Sequence, residues 1–291
     1  MKKLSLILVL MILMTGCTNS QKVEEKDTFD IVTSFYPIYI FTQNIAKDVP
    51  NVTVKNMSSE HSGCLHNYQL TTSDMKLIDN ADVFIINGAG LETFLEKAYS
   101  LRENLEVVDS SEGIELLTEK FSDEDNEHIW LSLTNAITQV QNIGNRLSEI
   151  DKEHEELYLE NTDKYIKRLE NLKNELRESI AQHSNIKLVT SHDAFPYFAK
   201  DFGFEIAAVI EKEEGTAPTS KEIQNIIDII KNDEIKAIFI EEDDSGKIAD
   251  TIANESGAKV FKLDTITFGD GDIEDYENRM RENIKVIKES I

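Results

Sequence analysis

Three histidines and one carboxylate sit where a folded chain could gather them. His66 follows "SGCL", His128 lies in "DEDNEHIWLSL", His192 ends "IKLVTSH" and Asp264 ends "AKVFKLD". Three imidazoles and a carboxylate have the donor types and charge of a tetrahedral Zn²⁺ site. Separations of roughly sixty to seventy residues exclude a compact zinc finger, whose ligands come in close pairs. Ser191-His192-Asp193 has the composition of a hydrolase triad but cannot be one, because triad members converge from separate segments and neighbouring residues point apart. On spacing alone, each histidine also fits a surface or satisfied core residue. The elements that carry them must decide.

Those elements alternate. "FDIVTSF" (29–35), "NVTVKNM" (51–57) and "DVFIING" (82–88) read as strands, and "YIFTQNIAK" (39–47), "TSDMKLIDNA" (72–81) and "LETFLEKAYS" (91–100) as helices. The rhythm resumes with "IKLVTSH" (186–192), "EIAAVIE" (205–211), "IKAIFIEE" (235–242) and "AKVFKLD" (258–264) as strands. Between and after them, helices are expected over 194–203, 220–233, 246–257 and 275–291, with Thr219 or Ser220 as a cap and Gly257 as a left-handed stop. Alternation of this kind predicts an α/β fold with mainly parallel sheets flanked by helices. Residues 151–184 break it: they hold no Gly or Pro, and Tyr165, Leu169, Leu172, Leu176 and Ile180 recur at helical spacing. Such a helix would run roughly 50 Å, long enough to bridge two lobes, and a coiled-coil dimer is the alternative use of its stripe. The division expected is 28–150 as an N-terminal lobe, 151–184 as a rigid linking helix and 185–291 as a C-terminal lobe. In such sheets ligand groups gather at the carboxyl ends of strands, where His192 and Asp264 fall.

The N-terminus gives the compartment. Lys2 and Lys3, an apolar run from Leu4 to Met14 and small residues before Cys17 have the architecture of a secretory signal over residues 1–16. The run is too short to span a bilayer. "MTGC" resembles a bacterial lipobox, with Met14 where Leu is usual, which implies lipid attachment at Cys17 and a polar tether over 17–27. An ordinary cleaved signal is the alternative. With 30 basic against 55 acidic residues the formal charge is -25, a field that repels nucleic acid and anionic lipid and favours cations. Of the two cysteines, a lipidated Cys17 leaves Cys64 without an intramolecular partner, so no disulfide framework is expected.

The ordered series "TSFYPIYIFTQNIA", "LHNYQLTTSDMKLIDNADVFIINGAGLETFLEK", "EHIWLSL", "TSHDAFPYFAKDFGF", "IFIEE", "ESGAKVFKLD" and "DYENRMRENI" resembles the metal-binding solute-binding lipoproteins of bacterial ABC importers, the zinc/manganese/iron class. The resemblance spans nearly the whole mature chain. It implies that the family's ligands fall on His66, His128, His192 and Asp264, with Zn²⁺ as transported ligand and Mn²⁺ or Fe²⁺ as alternatives. Zinc members usually have histidine at the third position and manganese members glutamate, so His192 favours zinc. It also implies a membrane permease and a cytoplasmic ATPase as partners, a monomer, no nucleic acid and no enzymatic activity. Because the family's linking helix is stiff, local loop movement around Asp264 and His66 is expected on metal release. The chain departs from the pattern at Leu65 and Asn67, at Asn126 and Glu127, and in a short acidic "KFSDEDNEH" where many zinc members carry a histidine-rich loop. Cys64 and His61 are alternative donors in the first loop; His154 and His183 are expected to face solvent or end the long helix. A zinc hydrolase using Glu241 or Glu242 as base is a competing class, as is an adhesin, for which there are no repeats or stalk.

Overall fold

The computed structural model describes residues 28–59, 65, 68–100, 102, 105–118, 125–183, 185–211, 216–242 and 244–291. The signal segment, Cys17 and the tether lie outside them, as do His61, Cys64 and His66. Two four-stranded sheets form, and every strand pair in them is parallel. The first contains β1 (Phe29–Thr33), β2 (Val52–Asn56), β3 (Val83–Ile86) and β4 (Glu106–Asp109) in the order β2-β1-β3-β4. The second contains β5 (Lys187–Thr190), β6 (Glu205–Val209), β7 (Ala237–Glu241) and β8 (Lys259–Leu263) in the order β6-β5-β7-β8. Where helices cover both faces an inner strand reads as a continuous apolar run, as β3 does: all four of its residues are buried.

In the first lobe the covering helices are α1 (Tyr36–Ile45), α2 (Thr72–Asn80) and α3 (Glu96–Ser100). In the second they are α6 (Pro196–Phe202), α7 (Ser220–Asn232), α8 (Lys247–Ser256) and α9 (Asp275–Ser290). Their ends follow the sequence chemistry. Thr219 caps α7 in a reciprocal box with Glu222, and Gly257 closes α8 at φ +87°, a conformation glycine reaches without a Cβ penalty.

Two helices lie between the lobes. The chain turns from α4 (Leu133–Ile150) into the 26-residue α5 (Glu155–Ile180) at Asp151, whose Oδ2 meets Nδ1 of His154 at 2.7 Å and accepts the Tyr158 hydroxyl at 3.1 Å. The long helix is thus shorter than the expected 151–184, about 39 Å at its usual rise, because residues 151–154 form a corner and the helix stops at Ile180. Its stripe of Tyr165, Leu169, Leu172, Leu176 and Ile180 is buried within the chain, in a core that runs unbroken from Ile31 and Trp130 in the first lobe to Phe239 and Ile287 in the second. Among the described residues no helix is long and apolar enough to cross a membrane.

Candidate metal centre

In open parallel sheets the crevice forms at the carboxyl edge, between the strands whose connections leave in opposite directions. In the second sheet that point lies between β5 and β7, and the residues leaving β5 are Ser191, His192 and Asp193. His128 reaches the same place from the other lobe, just ahead of the short 3₁₀ turn Ile129–Leu131 that leads into α4.

The two imidazoles meet. His128 is fully buried, its Nε2 is 3.2 Å from Nε2 of His192, and the rings stand 5.0 Å apart at 70°. Asn126 determines the tautomer of His128. Its Nδ2 donates to the Asp193 carbonyl at 2.7 Å and its Oδ1 accepts the His128 backbone N–H at 3.1 Å, two partners whose roles cannot exchange. The same Oδ1 faces His128 Nδ1 at 3.3 Å. Nδ1 therefore carries the proton, and the Nε2 lone pair points toward His192. Two nitrogens on one tetrahedral zinc stand about 3.3 Å apart at ordinary bond lengths, so this pair is spaced to share a cation. An N–H···N hydrogen bond occupies the same spacing.

Asp264 does not join the pair. Its Oδ2 accepts from Arg279 Nη1 at 3.0 Å and its Oδ1 from the Ile266 backbone N–H at 2.7 Å. Burial raises the Asp264 carboxyl above its ordinary range, while Arg279 and the Ile266 amide oppose the shift. Among the described residues no three His, Cys, Asp or Glu side chains stand ready to hold a metal. The first-loop donor His66 lies outside those residues. Trp130 nevertheless ties the histidine side to the Asp264 loop: its ring lies 5.2 Å from His128, and its Nε1 donates to the Thr265 carbonyl at 2.8 Å.

A buried carboxylate, that of Glu92, backs the first lobe's contribution. Glu92 accepts the backbone N–H groups of Asn87 at 2.7 Å and Gly88 at 3.0 Å where the chain leaves β3. Burial pushes its carboxyl up to about 7. The Asn87 side chain in turn donates to the carbonyl of Glu127, the residue before His128.

The family described as zinc-uptake complex component A, periplasmic, matches residues 31–290. The chain belongs to that family. Among relatives, the high-affinity zinc uptake system protein ZnuA of Bacillus subtilis is 29% identical, over 96% of this chain and 94% of its own. The iron-binding protein YfeA of Yersinia pestis is 31% identical, over 85% and 81%. The solved structure of the solute-binding protein FpvC from Pseudomonas aeruginosa in complex with Mn²⁺ superposes with a TM-score of 0.79 at 29% identity, covering 91% of this chain and all of that one.

Within this zinc-uptake family fold, two residues at the site go beyond what the sequence analysis assigned. Asn126 stands there only as a departure from the usual neighbour of the second histidine; its position two residues ahead of His128 is the signal, since a short amide so placed can bond back to the N–H two residues on. Arg279 has no local signal, because it reaches Asp264 from another element. His154 is at the helix end, as expected.

Proposed function

We propose that the chain is the extracytoplasmic receptor of a metal importer, capturing Zn²⁺ between its lobes and passing it to a membrane permease driven by a cytoplasmic ATPase. The observation that supports it most is the His128–His192 pair, with Asn126 holding one lone pair toward the other ring. His66 and Asp264 complete the ligand set in this reading, with Asp264 moving onto the metal. Neutral imidazole donors suit zinc better than the oxygen-rich surroundings that Mn²⁺ prefers. A manganese or iron receptor of the same family is the second reading, supported by the iron- and manganese-binding relatives. In the proposal the chain is not an enzyme, acts as a monomer and is held at the membrane surface by lipid on Cys17.

The test is competition. The soluble chain, started after Cys17 and stripped of metal, is offered equal Zn²⁺ and Mn²⁺, and bound metal is read by native mass spectrometry beside a His192→Ala control. One tightly held zinc is expected, weakened or lost in the control. Because imidazoles must be neutral to ligate, zinc affinity should also fall in mild acid. Preferential manganese retention would move the assignment to the second reading, and zinc binding indifferent to His192 would overturn the ligand set.

A further inference from the structure

Asp264 is the proposed ligand that this structure holds elsewhere, and its two oxygens are committed differently. Oδ1 is spent on the loop itself, accepting the N–H of Ile266, a fully buried residue at φ +60°. A β-branched residue rarely adopts that conformation, so this bond fixes the loop. Oδ2 is the oxygen open to contest, and what holds it is Arg279 at 3.0 Å.

Arg279 is itself shared. Its Nη2 pairs with Asp275 Oδ2 at 2.9 Å, and that same oxygen accepts the Tyr36 hydroxyl at 2.7 Å from α1 of the other lobe. The Tyr36 hydroxyl also accepts the Gly271 N–H at 3.1 Å. The guanidinium lies 5.7 Å from each of the Tyr36 and Phe268 rings. Gly269 packs so closely here that a Cβ would come within 2.3 Å of the Tyr36 hydroxyl and 2.8 Å of Arg279 Nη2. A cation is thus built into the fold, braced from both lobes, with one nitrogen on the oxygen a metal would need.

We propose that Arg279 is an internal competitor for the Asp264 carboxylate: it holds Oδ2 until a metal displaces it, and so weakens metal binding and speeds release. This rests on the proposed reading of Asp264 as a ligand. Asp275 sets the strength of the competition, because it draws part of the guanidinium away from Asp264.

The experiment measures zinc affinity by competition with a chromophoric chelator at neutral pH, and zinc release by stopped flow, for the wild-type chain and four variants whose folding is checked by circular dichroism. Arg279→Gln is expected to bind zinc on the order of tenfold more tightly, within the range over which outer residues tune metal affinity, and to release it more slowly. A residue that merely supports the loop would weaken binding when removed, so the direction separates the roles. Arg279→Lys, which keeps the charge, should stay near the wild-type affinity. Asp275→Asn should bind more weakly, since it leaves Arg279 to Asp264 alone, and it provides a second test should Arg279→Gln fail to fold. Asp264→Asn tests the underlying reading. If it leaves affinity unchanged, Asp264 is not a ligand and both proposals about it fall. If it weakens binding but folded Arg279→Gln binds no more tightly than wild type, or Asp275→Asn no more weakly, the ligand stands and the competitor is refuted.

Discussion

Glu92 shows what a single carboxylate costs and what it does in return. It takes two backbone N–H groups that leave β3 with no strand partner, and such donors are expensive to leave unmet when buried. Burial holds its carboxyl at about 7, against 4.5 for an ordinary glutamate. Between those values the folded chain keeps a proton that the unfolded chain has released. The Glu92 contribution to stability therefore falls as pH rises from about 4.5, and its full cost, about 3 kcal/mol, is reached above about pH 7. Glu92→Gln removes that titration. Urea unfolding of both chains at pH 4.5 and pH 8 should show the difference in stability moving in favour of the variant by about 3 kcal/mol. Parallel pH profiles would mean that Glu92 does not titrate in this window.

Between α4 and α5 the decisive position is Gly144. A Cβ there would lie 2.0 Å from Thr162 Oγ1 and 2.9 Å from Thr162 Cβ, so the two helices approach to a distance that only glycine permits. Gly144→Ala should destabilise the chain by about 1–3 kcal/mol through overpacking, read as a lowered urea midpoint with an unchanged slope. The double variant with Thr162→Ala should recover part of the loss, because the Thr162 hydroxyl only bonds the Tyr158 carbonyl one turn back. The same glycine explains why α4 is not legible in the sequence as an element. "LTNAITQVQNIGNRLSEI" does bury Leu133, Ala136, Val140, Ile143 and Leu147 at helical spacing, but its Thr and Asn residues are weak helix formers and Gly144 reads as a breaker. The edge strand β4 is hidden for another reason: four residues with only Val108 buried carry too little pattern. The other strands, the stripe on α5 and the Thr219 cap are legible because each depends on near neighbours. Asn126 with Asp193 and Arg279 with Asp264 are not, because only the tertiary fold brings them together.

At the scale of the whole molecule the lobes are stitched, not merely linked. Trp130 donates to Thr265 and accepts from the Tyr276 hydroxyl through its carbonyl; the Tyr197 hydroxyl donates to the Asn126 carbonyl; and Asp201 of α6 accepts from Ser132 and from the Thr134 backbone at the start of α4. Arg168 on α5 joins Glu277 of α9 to Asn44 of α1, and the apolar core passes beneath all of these without interruption. Opening the crevice as a hinge would break several buried hydrogen bonds at once, each leaving a polar group unmet. Loading and release should therefore be carried by loops such as Asp264–Thr267 while the lobes stay in place. Spin labels on cysteines at Lys76 of α2 and Asp228 of α7, both exposed, report the lobe separation directly in a background where Cys64 is replaced by serine. On adding zinc, the mean distance between them should change by less than the roughly 2 Å that separates local adjustment from a domain rearrangement. A larger shift, or two populations that exchange with zinc, would show that the stitches break in each cycle and that the spine through α5 is a hinge.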